Sequence, residues 1–252
     1  MSIKPFITTV TVTGADDTTQ LSDLMKIQKD FPFVEFGVLF SPSLQGYERY
    51  PSLEWIENII AANDHRVNSN PLRLSAHLCG KYVSDILLGL FGGYPTPTKY
   101  PYMSHCFSRI QLNTHAEFHD FCLFGIIKFV SLCKFLNQKH VIFQYDEVNT
   151  SLIHHLTSTS LPNVDVLYDL SHGAGLLPNN WPTLNIPPHV RLGYAGGLSP
   201  DNLVNNLPQI YCAAGERPVW IDAETHLRTD SRFDISKVCA FLAAAEPYVL
   251  RD

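Results

Sequence analysis

Three consecutive segments near the C-terminus share one pattern, an apolar run that ends in polar or glycine-rich residues. They are residues 164–169 (VDVLYD), 190–197 (VRLGYAGG) and 218–222 (PVWID). Short apolar runs of this kind are typical of strands that are buried on both faces of a parallel sheet. The pattern predicts parallel β/α units with a helix after each strand. In such units, catalytic and binding residues are expected in the loops that follow the strands.

The same alternation extends back to the N-terminus. Five earlier strands are predicted at 6–13, 33–40, 72–77, 108–112 and 140–145. A first helix is predicted to begin near residue 21, and the later helices are predicted at 53–62, 83–90, 117–137, 152–157, 200–207 and 234–245. An open doubly wound sheet has the same alternation, but eight units in 252 residues favour closure. We therefore expect an α/β fold, a single (β/α)8 TIM barrel over residues 1–252. A Tyr/Pro-rich stretch at about 91–106 should form an irregular excursion.

Composition excludes several classes of partner. A net charge of −6 and the absence of a Lys/Arg run argue against nucleic-acid binding. No apolar stretch is long enough to cross a bilayer, so we expect no membrane partner. The N-terminus lacks a signal-peptide pattern. The six cysteines form no CxxC pair, and Cys122 and Cys133 lie in a helix-like apolar context that is typical of reduced core thiols, so we expect a cytoplasmic location. The sequence does not indicate the oligomeric state.

Several motifs resemble those of one enzyme family. Residues 195–202 (AGGLSPDN) are close to its AGGL-(S/T/N)-P-E-N segment, and residues 167–169 (LYD) with 172–175 (HGAG) are similar to its sixth strand and following loop. Residues 109–113 (RIQLN) resemble its VQLHG strand. On these segments the chain resembles the phosphoribosylanthranilate isomerase family, a (β/α)8 barrel of tryptophan biosynthesis. The resemblance implies an aldose–ketose (Amadori-type) isomerisation of a phosphorylated aminosugar.

The resemblance also implies roles for individual residues. Asp169 takes the position of the family's general acid, which protonates the furanose oxygen as the ring opens; alternatively, it caps the next loop. The family's general base is a cysteine in KICG, and Thr13 stands there, although a threonine hydroxyl is a poor base without an activator. The base is then another group at a predicted strand end, for which the candidates are Asp146, His77, His172 and Glu224, or else Thr13 orients a water.

Loops after strands 6, 7 and 8 predict a phosphate site. The residues concerned are Gly173, Gly175, Gly196 and Gly197, whose backbone N–H groups can approach an anion at the start of a helix; plain tight turns are the alternative. The family's SSGVE loop corresponds to residues 224–228 (ETHLR), which include Glu224 and Thr225 but no glycine. Arg228 or Arg232 would then bind phosphate, unless both are surface arginines. Arg49 lies near the family's carboxylate-binding arginine, and a solvated arginine is the alternative.

Two other chemistries are disfavoured. A metal-dependent hydrolase would need several strand-end ligands, and His77, Asn113, His115, Asp169 and Asp222 are available, but there is no HExxH and no His-x-His on strand 1. A Schiff-base aldolase needs a strand-end lysine, whereas Lys139 precedes its strand. We expect no metal and no cofactor.

Two hypotheses remain. One is an isomerase for a small phosphorylated sugar or aminosugar, and the other is a divergent barrel that binds a phosphorylated or anionic small ligand without turnover.

Overall fold

The computed structural model describes residues 3–64, 68–90, 100–114, 122–137, 139–146, 148–159, 161–171 and 173–251. Within these ranges eight parallel strands close into a barrel, each pairing with the next and β8 with β1. The strands are β1 (Ile7–Thr13), β2 (Val34–Phe40), β3 (Leu74–Leu78), β4 (Phe107–Leu112), β5 (His140–Tyr145), β6 (Val164–Tyr168), β7 (Arg191–Tyr194) and β8 (Val219–Ala223). This arrangement confirms the predicted (β/α)8 barrel.

Helices surround the barrel. They are α1 (Leu21–Asp30), α2 (Leu53–Ala62), α3 (Lys81–Leu87), α4 (Leu123–Asn137), α5 (Thr150–Ser158), α6 (Leu203–Ala213) and α7 (Ile235–Ala245). The cap of α7 is typical: the Asp234 side chain accepts hydrogen bonds from the first-turn N–H groups of Ser236 and Lys237. A short hairpin of β9 (Arg228–Thr229) and β10 (Arg232–Phe233) separates β8 from α7. No helix in the described ranges has the length and apolar character needed to cross a bilayer.

The helix predicted after the sixth strand is wrong. Between β6 and β7 every residue but one is described, and those residues form turns and irregular backbone. Four prolines, at 178, 182, 187 and 188, interrupt the segment, and each lacks the N–H that an α-helix requires. Trp181 packs instead against Tyr168 and Tyr194, with ring centroids 6.1 and 5.8 Å apart. The Trp181 ring therefore covers part of the outer barrel face that a helix would otherwise bury.

The predicted Tyr/Pro-rich excursion lies partly outside the described residues, as do residues 117–121 of the predicted fourth helix. The described part, residues 100–106, includes a 3₁₀ turn at Pro101–Met103. Tyr102 is buried there and its ring meets those of Tyr82 and Phe40, with centroids 5.1 and 6.0 Å away. This part of the excursion packs against β2 and α3.

The barrel interior is packed with polar as well as apolar side chains. Near the N-terminal ends of the strands, buried Asp165 binds Arg191 and His140. One layer higher, Arg109 donates to both carboxylate oxygens of Glu35, and its guanidinium lies 4.7 Å from the Trp220 ring. The next interior layer is mostly apolar and contains Ile142, Leu167, Ala195 and Trp220. These layers fill the lower barrel, so a cavity can open only at the C-terminal ends of the strands.

Candidate active site

One cavity opens at the C-terminal ends of the strands. The cavity is small, with a volume of about 70 Å³ open to the centre of a water-sized sphere. The lining comes from β2 through β8 and the loops after them, and includes Leu39, His77, Cys79, Gln111, Asn113, Gln144, Asp169, Asp222 and Glu224. In barrels of this type, catalytic groups are carried at this end. The cavity therefore brings together residues that are far apart in the sequence.

Asp222 is the most buried carboxyl group of the cavity. It projects inward from β8, and Thr13 Oγ1 donates a hydrogen bond to its Oδ1 at 3.0 Å. Burial raises the pKa of Asp222 well above its ordinary value; the Thr13 hydrogen bond opposes this rise, and the charge of Glu224 adds to it. Asp222 can therefore hold a proton at a pH where an ordinary aspartic acid has lost it.

His77 lies beside this pair, on the floor of the cavity. Its side chain is 2% exposed, and its Nε2 has no hydrogen-bond partner among the described residues. The same atom lies 4.0 Å from Asp222 Oδ2, which is too long for a direct hydrogen bond. Burial lowers the pKa of His77 to about 3, while the charge of Glu35 opposes this change. The imidazole is therefore neutral at physiological pH.

Gly37 makes this close arrangement possible. A Cβ atom at position 37 would lie 2.1 Å from Thr13 Oγ1 and 2.8 Å from His77 Cε1. Neither side chain has a flexible end to move away, since both are packed inside the barrel. A glycine is thus required where β1, β2 and β3 bring Thr13 and His77 together.

Asp169 lines the cavity at the end of β6, as predicted from the sequence. Its Oδ1 accepts hydrogen bonds from the backbone N–H and the hydroxyl of Ser171, at 2.8 and 2.7 Å. No described residue donates to its Oδ2. The carboxylate is therefore oriented by its own loop through one oxygen, and no described residue competes with a ligand for the other.

Four glycines of the predicted phosphate site also line the cavity. Gly173, Gly175, Gly196 and Gly197 all have positive φ, between 64° and 112°. A Cβ at Gly197 would lie 2.4 Å from the backbone nitrogen of Leu177, so tight packing of the β6 and β7 loops explains this glycine in part.

Backbone donors remain free at the same turn. Among the hydrogen bonds of the described residues, none uses the N–H groups of Gly196, Gly197 or Leu198. The next N–H, that of Ser199, is bound by the side chain of Asn202 at 2.9 Å. The three consecutive free N–H groups can bind an oxyanion at the cavity wall.

An ion pair lies across the mouth. Arg49 Nη1 binds Glu224 Oε1 at 2.5 Å and approaches the carbonyl of Gly173 at 3.5 Å. Burial raises the pKa of Glu224 above its ordinary value, and Arg49 opposes this rise. Thr225 Oγ1 also donates to the Gly173 carbonyl, at 3.2 Å. The loops after β2, β6 and β8 are therefore linked, and Arg49 reaches the site instead of pointing into solvent.

Four predicted site residues in the described part of the chain do not line the cavity: Thr13, which bonds Asp222, Arg232, which is exposed on β10, Asp146 and Arg228. Asp146 accepts hydrogen bonds through Oδ1 from the backbone N–H groups of Val148 and Asn149, at 3.0 and 2.8 Å, which holds the approach to α5. Arg228 binds Asp16 at 2.7 Å and the carbonyls of Gly14 and Ser231, so it joins the β1 loop to the hairpin. The placements of Asp146 and Arg228 favour structural roles.

Two further predicted residues, His172 and His115, lie outside the described residues. Across the described part of the chain, no three His, Cys, Asp or Glu side chains are grouped closely enough to hold a metal ion.

Sequence reasoning missed part of the cavity lining. Asp222 entered it only as a possible metal ligand, although it ends an apolar strand as Asp169 does. Gln111 is also on the inner face, where its Nε2 donates to Asn113 Oδ1 at 2.8 Å and its Oε1 has no partner among the described residues. The available signal was register, because alternate residues of a barrel strand face inward and Gln111 lies two positions from Arg109.

Comparison with known proteins supports the fold. No protein-family model matches the chain, and no curated protein matches it in sequence. Among solved structures, N-(5'-phosphoribosyl)anthranilate isomerase from Pyrococcus furiosus is similar, with a TM-score of 0.55 and 14% sequence identity. The match covers 94% of this chain and 98% of that one. At this identity the similarity shows a distant (β/α)8 fold relationship and leaves the activity to be inferred from the site.

Proposed function

We propose that the chain is an enzyme that isomerises a small phosphorylated sugar or aminosugar by acid–base proton transfer between adjacent carbons. The observation that carries the proposal is the presence of two carboxyl groups, Asp169 and Asp222, on one cavity at the active end of the barrel. Aldose–ketose and Amadori-type isomerisations need one group to protonate an oxygen and another to remove a carbon-bound proton. A pair of carboxyl groups in different environments can divide these two tasks.

In the proposed reaction the proton is first held by Asp222. Its buried position favours the protonated form, which can transfer the proton to the ring oxygen as the ring opens. Asp169 then removes the proton from the carbon next to the aldehyde or imine and returns it to the aldehyde or imine carbon. The hydroxyl proton that the substrate releases as the ketone forms restores the acid form of Asp222. The resemblance implies the acid role for Asp169, but the environment of Asp222 favours the reverse assignment. Thr13 orients Asp222 and needs no basic character.

The free N–H groups of Gly196, Gly197 and Leu198 support the phosphorylated substrate class. Backbone donors in a glycine turn bind phosphate without a lysine or arginine. In this chain Arg228 is bound to Asp16, so the backbone is the better candidate for the phosphate contact.

Turnover assays with aldose and ketose phosphates, and with phosphoribosylanthranilate, test the proposal. We expect Asp169→Asn and Asp222→Asn each to lower kcat by about 10²–10⁴-fold. Asp201→Asn, an exposed change just after the β7 loop, is the matched control and should leave kcat unchanged. Activity that survives both site substitutions would refute the assignment.

The second candidate is a barrel that binds a phosphorylated or anionic small ligand without turnover. The Arg49–Glu224 pair favours it, because Glu224 is engaged and the loops are tied across the mouth. Thermal stabilisation by phosphate esters, with no turnover of any substrate in the panel, would support this candidate over the isomerase.

A further inference from the structure

Two neighbouring side chains on the cavity floor each have one polar atom without a hydrogen-bond partner among the described residues. His77 on β3 and Gln111 on β4 are paired in the strand register, so their side chains lie next to each other on the inner face. Both residues are at least nine-tenths buried, at 2% and 5% exposure, and both line the cavity. His77 Nε2 and Gln111 Oε1 have no hydrogen-bond partner among the described residues. Unpaired buried polar atoms are costly, so a site that keeps two of them side by side is suited to a ligand.

The distance to Asp222 indicates the size of the group that these side chains can bind together. His77 Nε2 and Asp222 Oδ2 are 4.0 Å apart. A single oxygen atom about 2.8 Å from each of them would fill this gap, with an angle of about 90° at the oxygen. One hydroxyl oxygen therefore has the reach to bond both the imidazole and the carboxyl group.

The chemistry of the floor excludes an anionic oxygen. Gln111 Oε1 can only accept a hydrogen bond, so its partner must carry a proton. The carboxyl groups of Asp169, Asp222 and Glu224 line the same cavity. Among the described residues, the arginines whose charges act on Asp222 and Glu224 are Arg49, Arg109 and Arg228, and they are already paired with Glu224, Glu35 and Asp16. A phosphate group on the floor would therefore meet acceptors and carboxyl groups without a free cation.

We propose that His77, Gln111 and Asp222 form a hydroxyl-binding floor, which takes the neutral hydroxylated end of a polyol or sugar chain. The phosphate of the same ligand then lies toward the glycine turn of Gly196 and Gly197. Only the position of the phosphate rests on the proposed function. The floor itself selects hydroxyl groups whether or not the ligand is turned over.

Isothermal titration calorimetry on the full chain tests the floor with three probes. They are a linear five-carbon polyol monophosphate, a five-carbon alkyl monophosphate without hydroxyl groups, and inorganic phosphate. We expect the polyol monophosphate to bind about tenfold more tightly than the alkyl monophosphate, as two or more added hydrogen bonds would give. Gln111→Met, of similar size but without a strong acceptor, should reduce this preference to about threefold or less while binding of inorganic phosphate is unchanged. Gln209→Met, at an exposed position of α6, is the control and should keep the full preference.

Equal affinities for the polyol and alkyl monophosphates would overturn the proposal, and would mean that water satisfies the floor. An undiminished preference in Gln111→Met would also overturn it. If Gln111→Met does not fold, the two probes on the unaltered chain still decide the question. A hydroxyl preference without turnover would support the floor and refute the isomerase. Turnover without a hydroxyl preference would refute the floor alone, and failure of every monophosphate to bind would overturn both.

Discussion

The pKa values of buried carboxyl groups shift in opposite directions at the two ends of the barrel interior. At the N-terminal end, burial alone would raise the pKa of Glu35, but the charge of Arg109 and its hydrogen bonds outweigh burial, and the pKa is lowered. The pKa of Asp165 is lowered in the same way, with burial opposed by His140 and Arg191. At the C-terminal end, burial prevails and the pKa of Asp222 is raised.

This contrast separates stability from function along one barrel axis. Buried charges paired with an opposite charge fix side chains in place, whereas buried titratable groups without such a charge can exchange protons or hydrogen bonds with a ligand. A chain selected only for stability would not bury His77 and Asp222 without an opposite charge beside them. The difference therefore predicts opposite responses to substitution at the two ends.

The largest expected effect is at the Glu35–Arg109 pair. Arg109→Met removes the partner of a carboxylate whose side chain is 3% exposed, so it should lower the free energy of unfolding by about 3–5 kcal/mol. Urea denaturation at pH 7 measures the loss. The double variant Glu35→Leu with Arg109→Met serves as the control, because it removes both charges and should recover most of the stability. A loss below about 1 kcal/mol in the single variant would remove the distinction between the two ends.

A smaller loss is expected at Asp165. Asp165→Asn weakens contacts with Arg191, at 2.6 and 3.0 Å, and with His140, at 3.1 Å, and should cost about 1–3 kcal/mol at pH 7. The folded-state pKa of Asp165 is below its unfolded value, so its contribution is present above the unfolded pKa and is lost as pH falls through the folded pKa. Urea titrations at pH 7 and pH 3 should therefore show a variant deficit that shrinks in acid. A deficit that is constant with pH would show that the contribution of Asp165 is not ionic.

Much of the fold follows from local sequence, which explains why it could be predicted. Strand β5 spans the residues expected, His140–Tyr145, because its apolar run is bounded on both sides by polar residues. The placement of Asp169 and of Gly196 and Gly197 at the cavity was predicted for the same reason, since each directly follows a strand. The end of a strand can be predicted from the local sequence alone, without knowledge of its neighbours in the barrel.

The remaining site depends on contacts between distant segments. Thr13 and Asp222 are 209 positions apart, and they meet only because β8 pairs with β1 to close the barrel. The burial that raises the pKa of Asp222 is likewise a property of the closed barrel and not of its strand. The irregular segment after β6 could have been predicted from its four prolines, but the regular alternation of the other units favoured a helix.

The opposite sign is expected at the C-terminal end. Asp222→Asn removes a buried acid of raised pKa, so it should increase the free energy of unfolding at pH 7 by about 0.5–2 kcal/mol while it lowers activity. The folded-state pKa lies above the unfolded value, so the penalty in the unaltered protein grows as pH rises from the unfolded pKa toward the folded one. Thermal denaturation from pH 4 to pH 8 should show the variant gaining on the unaltered protein over this window. The control Asp201→Asn changes an exposed residue and should show no such gain in stability. If Asp222→Asn were destabilised instead, the stability lost with the Thr13 hydrogen bond would be larger than the cost of burying the acid.

The smallest effect is expected at the mouth, because the ion pair there is partly exposed to solvent. The side chains of Arg49 and Glu224 are 30% and 20% exposed, against 8% and 3% for Arg109 and Glu35. Arg49→Met should therefore lower the free energy of unfolding by less than about 1 kcal/mol, and the loss should shrink further in about 1 M salt. Urea denaturation at low and high salt measures this, with Lys26→Met at the exposed Lys26–Asp30 pair as the matched control. A salt-independent loss as large as that of Arg109→Met would place the mouth pair with the structural charges of the barrel interior. A small, salt-sensitive loss means that a ligand could displace Arg49 from Glu224 at little cost, which an entrance to a binding cavity requires.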